Sequence, residues 1–209
     1  MKIVPAILTD DPKDLELKIR QTEQFTDNAQ IDIMDSKFVP SISINVSDLQ
    51  KIKTNLVLEV HLMVVNPETY FQGFKDAGAK RIIFHYEATK RSKELIAMLK
   101  DLKVKPGIAI NPETPIAAVE PFFNDINMLL LLAVNPGFYS SKFIPEVLDK
   151  AKEINKREKK FILAIDGGVS EKTIKDIKEA GIEQIDVGSA IFKHKNPARM
   201  YKKLNELIK

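Results

Sequence analysis

Residues 160–192 read KFILAIDGGVSEKTIKDIKEAGIEQIDVGSAIF and contain a complete strand–helix–strand pattern. The runs at 160–166 and 184–188 are short and mostly apolar, which is typical of parallel strands covered on both faces. The segment between them has helical spacing, with Ser170 as the expected N-cap and Gly181 just past the expected helix end. These residues therefore predict a β–α–β unit with a parallel strand pair.

The same unit recurs along the whole chain. Apolar runs occur near residues 2–8, 29–34, 56–63, 81–85, 104–110, 127–134, 160–166 and 184–188. Segments with helical spacing and charged faces lie between most of them. Eight units of roughly 25 residues predict an α/β fold in which residues 1–209 form a single (β/α)₈ TIM barrel. An open, doubly wound sheet is the alternative.

The composition is that of a soluble globular protein, with 44% hydrophobic and 29% charged residues. The chain has 32 basic and 29 acidic residues, and this near balance gives no reason to expect nucleic acid as a partner. Cysteine is absent, which excludes disulfides, thiol nucleophiles and thiolate zinc sites. The longest apolar stretch, residues 128–134, is too short to span a membrane, so we expect a cytoplasmic protein without a membrane partner.

Polar residues follow the apolar runs. Enzymes with this barrel carry their chemistry at the carboxyl ends of the strands. The residues at these ends are Asp32, Asp35, His61, Met63, His85, Glu87, Asn111, Asn135, Asp166, Gly188 and Ser189. A single Asp after a strand is usually a turn or cap residue, and this reading suffices for Asp35. As a set, converging carboxylates and imidazoles are costly to bury without a shared cation or substrate.

The second and seventh strands end in Asp32 and Asp166, which should face each other across the barrel axis. Two carboxylates on opposite faces of a substrate suit removal of a proton from one side and its delivery from the other, as in an epimerase or racemase. His61 could join both aspartates as a ligand of a divalent metal that stabilises an enediolate.

Glycines follow the last three strands. The sequences NPGF, DGG and GSAIF occupy residues 135–138, 166–168 and 188–192. Loops at this end of a barrel commonly bind phosphate through backbone N–H groups. Each glycine alone is explained by a turn, but three such loops in succession favour a phosphate site.

Between residues 4 and 192 the chain resembles the ribulose-phosphate 3-epimerase family. The matching segments, in family order, are VPAIL, DIMDSKFVP, EVHLMVVNPETY, GIAINPETP, VNPGF, IDGGVS and VGSAIF. The resemblance implies a ribulose-phosphate-binding barrel that interconverts D-ribulose 5-phosphate and D-xylulose 5-phosphate. It also implies two aspartates acting as acid and base around a divalent metal, which could be Zn, Fe, Mn, Co or Mg.

Residue roles follow from this resemblance. It makes Asp32 and Asp166 the proton-transfer pair and, with His61, the metal ligands. Residues implied in contacts with the substrate or its phosphate are His61, Met34, Met63, Gly137, Gly167, Gly168, Gly188 and Ser189. The family often forms homo-oligomers, so a homo-oligomer is a further expectation.

The chain departs from the family pattern at several site positions. Gln30 stands where the family usually has a histidine, which puts the fourth metal ligand in doubt and should change metal affinity or identity. Ala6 replaces the serine of the SIL motif, and Leu132 replaces a methionine. The dipeptide Asp35-Ser36 replaces Asp-Gly, and residues 137–141 read GFYSS instead of GFGGQ.

Three other functions fit parts of the pattern. The chain could epimerise another ketose phosphate, such as a hexulose 6-phosphate, or could bind a phosphosugar without catalysis. Related barrels that decarboxylate orotidine phosphate or join formaldehyde to a pentulose phosphate carry a D-x-K-x-x-D arrangement. Met34 occupies the position of that lysine, which argues against this third reading.

Overall fold

Eight parallel strands form a closed barrel in the computed structural model, which describes residues 1–136 and 142–209. The strands are β1 Lys2–Ile7, β2 Asn28–Met34, β3 Val57–Met63, β4 Arg81–His85, β5 Lys105–Ile110, β6 Met128–Leu132, β7 Ile162–Asp166 and β8 Gln184–Val187. They pair in sequence order, and β8 pairs with β1 to close the ring. The (β/α)₈ prediction is confirmed, and the open sheet is excluded.

Helices cover the outside of the barrel. Within the described residues they are α1 Pro12–Thr22, α2 Val46–Gln50, α3 Glu68–Asp76, α4 Ser92–Asp101, α5 Val147–Ile154, α6 Ile174–Glu179, α7 Ser189–Phe192 and α8 Pro197–Leu207. The connection from β5 to β6 instead contains two short 3₁₀ helices, Ile116–Ala118 and Glu120–Phe122. No helix in the described ranges has both the length and the apolarity needed to cross a membrane.

The start of α6 differs from the sequence prediction. Ser170 does not cap this helix, because the Ser170 hydroxyl accepts a bond from the Lys172 N–H in a turn that precedes it. The helix begins at Ile174, whose N–H bonds to the Ser170 carbonyl. Gly181 follows the helix with φ +79°, in the left-handed conformation expected of a residue that ends a helix.

The interior of the barrel is divided into an apolar and a polar half. The apolar half lies on strands β4 to β7 and contains Ile83, Ala109, Met128, Leu130 and Ala164. The polar half contains buried residues on β2, β3, β7 and β8 and the last residue of β4, namely Gln30, Asp32, Glu59, His61, His85, Asp166, Gln184 and Asp186. Because side chains alternate along a strand, these polar residues all come from inward-facing positions. The division places the polar groups together below one side of the barrel mouth.

Candidate active site

Asp32 and His61 lie side by side because β2 and β3 pair in register, with Asp32 opposite His61. Asp166 is the last residue of β7. All three side chains are buried. The three residues that the sequence analysis selected are therefore brought to one place.

Gln30 connects the two aspartates. It precedes Asp32 by two residues on β2, so its side chain points to the same interior. Its Nε2 donates to Asp32 Oδ1 at 2.9 Å and to Asp166 Oδ2 at 2.8 Å. The Gln30 side chain is fully buried, and its Oε1 has no hydrogen-bond partner in the described part of the chain. One amide group thus holds one oxygen of each carboxylate.

The imidazole of His61 contacts the same two oxygens. Its Nδ1 lies 3.4 Å from Asp32 Oδ1 and 3.3 Å from Asp166 Oδ2. Burial lowers the pKa of His61, but the hydrogen bonds and charges of Asp166 and Asp32 outweigh this effect and raise the pKa to about 9. Without a metal, His61 is therefore an imidazolium at neutral pH.

His85 fixes the other side of the His61 ring. The two Nε2 atoms lie 2.9 Å apart, and His85 Nδ1 lies 3.3 Å from Glu87 Oε2. Burial lowers the pKa of His85, and the charge on His61 lowers it further. A neutral His85 accepts the Nε2–H of His61 and donates its own Nδ1–H to Glu87.

Glu87 is itself fixed from the neighbouring loop. It accepts hydrogen bonds from the Asn111 N–H at 2.9 Å and from the Thr114 hydroxyl. In the sequence, His85 and Glu87 stand among the polar residues at strand ends. The structure gives them the supporting position, because His85 is fully buried behind His61.

The Asp32 carboxyl has an unusual protonation equilibrium. Burial raises its pKa, and the nearby charge of Asp166 raises it further, to about 6. A carboxyl whose pKa is close to neutrality can both accept and release a proton at physiological pH. This is the property that acid–base chemistry requires.

A cavity opens above the carboxylates toward the barrel mouth. Its lining includes Asp32 and Asp166 on the floor and the two methionines, Met34 and Met63, on one wall. These methionines pack with Val39 and with the partly buried Leu8 and Phe38 in a small apolar cluster. This cluster makes one side of the cavity apolar.

The opposite end of the cavity is lined by Gly167, Gly168, Gly188 and Ser189. Gly167 and Gly168 have φ values of +97° and +66°, which favour glycine. A Cβ on Gly168 would lie 2.7 Å from the backbone of Phe143. Gly137, the remaining predicted phosphate contact, lies outside the described residues.

Three charged cavity residues escaped the sequence analysis, namely Lys18, Asp186 and Lys193. Lys18 of α1 lines the cavity, and its Nζ lies 5.7 Å from the centre of the Phe192 ring, three residues after Ser189. The same Nζ donates to the Leu8 carbonyl at 3.2 Å and pairs with Asp14 at 2.6 Å. Asp186 of β8 also lines the cavity. Its signal was the alternation of Gln184, Asp186 and Gly188, which places Asp186 on the inward face of the last strand.

Asp35 does not face this cavity. Its Oδ1 accepts bonds from the N–H groups of Lys37 and Phe38, and its Oδ2 accepts from the Val65 N–H at 2.8 Å. Asp35 therefore stabilises the loop after β2, as the turn interpretation expects. The following residue, Ser36, has φ +59°, a left-handed conformation that glycine adopts more easily.

The donor set fits a divalent metal. Asp32, His61 and Asp166 each offer one ligand atom, and these atoms lie within 4.8 Å of one another. Carboxylate oxygens and an imidazole nitrogen are ordinary ligands of Zn²⁺, Mn²⁺ and Fe²⁺. The unpartnered Gln30 Oε1 is a fourth candidate ligand, because rotation of the amide would exchange the positions of Nε2 and Oε1.

Comparisons with known proteins relate the chain to one family. A model of the ribulose-phosphate 3 epimerase family matches residues 2–192. The ribulose-phosphate 3-epimerase of Bacillus subtilis is 37% identical over 200 residues and covers 92% of each chain. The Schizosaccharomyces pombe protein of the same name is 32% identical over 213 residues, which are 99% of this chain and 93% of the relative.

Solved structures also resemble the chain. The 3-hexulose-6-phosphate synthase of Salmonella typhimurium superposes with a TM-score of 0.75 at 19% identity, covering 100% of this chain and 98% of that one. The protein named KGPDC from Streptococcus mutans superposes with a TM-score of 0.77 at 14% identity, covering 99% and 96%. At these identities the likeness shows the barrel fold alone.

Proposed function

The chain belongs to the ribulose-phosphate 3-epimerase family, and on this premise we propose that Asp32 and Asp166 move the C3 proton between D-ribulose 5-phosphate and D-xylulose 5-phosphate. The family catalyses this epimerisation, so the chain is an isomerase that acts on a sugar phosphate. One observation carries the assignment of residues: the Gln30 amide and the His61 imidazole both contact the same oxygen of Asp32 and the same oxygen of Asp166.

Each carboxylate serves one face of the substrate carbon. One removes the C3 proton from its side, the other delivers a proton from the opposite side, and the reverse reaction exchanges their roles. Asp32, with a pKa of about 6, is able to take either part near neutral pH. The buried position of both side chains keeps bulk water from competing for the proton.

His61 and the residues behind it act on the carboxylates. The chain from Glu87 through His85 holds the His61 ring in one orientation, with Nδ1 toward Asp32 and Asp166. A fixed ring of this kind positions the carboxylates without consuming the proton that they transfer.

We further propose that Asp32, His61 and Asp166 bind a divalent metal, with Gln30 Oε1 as a fourth ligand after rotation of its amide. A bound cation supplies positive charge that offsets the negative charge developing on the substrate oxygens. His61 must lose its Nδ1 proton to become a ligand, so metal binding competes with protons. An oxygen ligand at position 30 favours Mn²⁺ or Mg²⁺ over Zn²⁺.

The remaining contacts hold the ends of the substrate. The backbone at Gly168 and Gly188, together with Ser189, is proposed to bind the phosphate, and the Lys18 ammonium lies close enough to this end of the cavity to add positive charge. Met34 and Met63 cover the reacting carbon and exclude water.

We also propose that residues 1–209 act as one domain, which is supported by the packing of the last helix, α8, against α1 and β1. A cytoplasmic location and a homo-oligomeric state stay predictions.

The test is solvent exchange. Purified protein with Mn²⁺, Mg²⁺, Co²⁺, Fe²⁺ or Zn²⁺ is incubated with D-ribulose 5-phosphate in D₂O, and deuterium at C3 is followed by NMR together with the formation of D-xylulose 5-phosphate. We expect both. A hexulose 6-phosphate serves as the comparison substrate.

Asp166→Asn tests the residue assignment. This variant should lose turnover by several powers of ten and still bind phosphosugar. Turnover equal to that of the wild type would refute the role of Asp166.

A further inference from the structure

A third carboxyl, Asp186, lies in the interior of the barrel beside the proposed proton-transfer pair. It is fully buried on β8, next to Asp166 in the register of β7 and β8. Its Oδ1 accepts a bond from the Gln184 amide at 2.8 Å. Its Oδ2 is buried and has no hydrogen-bond partner among the described residues. A buried polar atom in this state is costly and calls for a partner outside the protein.

The cavity reaches down to Asp186. Asp186 is one of its lining residues, and the residues above it toward the mouth are small. On β8 the next inward position is Gly188, and on the neighbouring strand β1 it is Ala6. A Cβ on Gly188 would lie only 3.0 Å from the Ala6 carbonyl oxygen. No side chain larger than a methyl group therefore stands at these two positions between Asp186 and the substrate space.

The charge state of Asp186 suits hydrogen bonding to a ligand. Burial raises its pKa well above the ordinary value, and the charges of Glu59 and Asp166 add to this effect. Glu59, at a similar depth, is satisfied differently, because Arg81 and Gln184 both donate to it. A carboxyl at this position can form a hydrogen bond with a hydroxyl, because a hydroxyl both donates and accepts.

The position of Asp186 indicates which substrate atom it meets. In the proposed function, C3 lies next to Asp166, and the phosphate on C5 lies at Gly188 and Ser189. Asp186 is next to Asp166 on the neighbouring strand and two residues before Gly188, so it lies beneath the stretch that joins them. The only hydroxyl on that stretch of a pentulose 5-phosphate is the one on C4.

We propose that the Asp186 carboxyl forms a hydrogen bond with the C4 hydroxyl of the bound ketose phosphate and thereby positions C3 between Asp32 and Asp166. This inference rests on the proposed function for the identity of the substrate. It makes Asp186 a residue that recognises a hydroxyl next to the reacting carbon.

The experiment is a cycle that combines a protein change with a substrate change. Wild type, Asp186→Val and Asp186→Asn are each assayed with D-ribulose 5-phosphate and with its 4-deoxy analogue. In the wild type, loss of the C4 hydroxyl should lower kcat/KM by about 10- to 100-fold. In Asp186→Val the two substrates should differ by less than about 3-fold, because the partner of the hydroxyl is gone.

Asp186→Asn keeps the shape and places an N–H donor at the free position, so it should restore most of the discrimination. If the valine variant does not fold, Asp186→Ala takes its place, because it also removes the carboxyl. Ile185→Val is the matched control, since it changes a buried side chain of the same strand that does not line the cavity. It should leave the ratio of the two substrates unchanged. Discrimination by Asp186→Val, or by Asp186→Ala in its place, equal to that of the wild type would overturn the proposal.

A binding measurement separates this proposal from the proposed function. D-xylitol 5-phosphate has no carbonyl group and cannot be epimerised, and its affinity is measured by calorimetry beside that of inorganic phosphate. Asp186→Val should lower the affinity for D-xylitol 5-phosphate at least 10-fold and leave the affinity for inorganic phosphate unchanged. If the wild type binds this ligand but turns over no ketose phosphate, the proposed function fails while the role of Asp186 is still decided by the two affinities.

Discussion

Replacement of Gln30 tests the amide link between the two aspartates. In Gln30→Leu the two N–H bonds to Asp32 and Asp166, at 2.9 and 2.8 Å, are lost. A hydrogen bond to a charged acceptor contributes about 1.5–3 kcal/mol, and leucine recovers part of the loss because it is apolar and buried. We expect the metal-free variant to lose about 3 kcal/mol of unfolding free energy, which lowers Tm by about 6–12 °C in a chain of this size.

The assay is calorimetric unfolding at pH 7 in the presence of EDTA, which removes metal from both proteins. Gln30→Glu is the matched control, because it keeps the shape but replaces the donating amide by a third carboxylate, and it should be less stable than Gln30→Leu. Unfolding of Gln30→Leu within 2 °C of the wild type would refute the reasoning.

The same position should control metal preference. Gln30→His offers a nitrogen ligand in place of an amide oxygen, so Zn²⁺ should bind at least 10-fold more tightly. The affinity for Mn²⁺ should change little. Calorimetric titration with each metal measures this directly. Equal gains for both ions, or no gain for Zn²⁺, would show that residue 30 is not a ligand.

Three further predictions concern stability and substrate affinity. The pKa of His61 is about 9 in the folded protein and 6.5 when unperturbed, so its protonation stabilises the fold fully below pH 6.5, and this stabilisation is lost as pH rises through 9. The free energy of unfolding of the EDTA-treated protein should therefore fall by about 3 kcal/mol between pH 6.5 and 9.5. His61→Asn should remove this slope, and a slope that persists would contradict the assignment. Lys18→Met should raise KM for D-ribulose 5-phosphate about 3- to 10-fold with little change in kcat, because Lys18 lies at the phosphate end; a fall in kcat at unchanged KM would exclude that role. Ser36→Gly should raise the unfolding free energy by about 0.5–1 kcal/mol, since residue 36 is exposed with φ +59°, and a loss of stability would contradict the strain argument.

The strands could be predicted from the sequence to within two residues at every end, because each lies in a short run rich in Ile, Val, Leu or Phe. The meeting of Asp32 and Asp166 followed from barrel closure. The contact of Gln30 with both of them could not be predicted, since it depends on the length and rotation of one side chain across the barrel. Asp186 was missed because the sequence analysis took Gly188 and Ser189 as the end of the last strand, whereas β8 ends at Val187.

Helix starts were the less predictable part. Ser170 has the chemistry of an N-cap, but a turn over residues 171–173 delays α6 to Ile174. The first residue of the helix is therefore determined by the backbone path of the loop after Asp166, and not by the nearest favourable cap residue.

The divided interior of the barrel has a consequence for changing the protein. Substitutions of Met128 and Leu130 alter packing on β6, a strand that carries no polar side chain. Volume-conserving changes there usually cost little and are additive with changes at distant sites. Stability can thus be engineered on β6 while substrate or metal preference is selected on β2, β3 and β8, in separate libraries that are later combined.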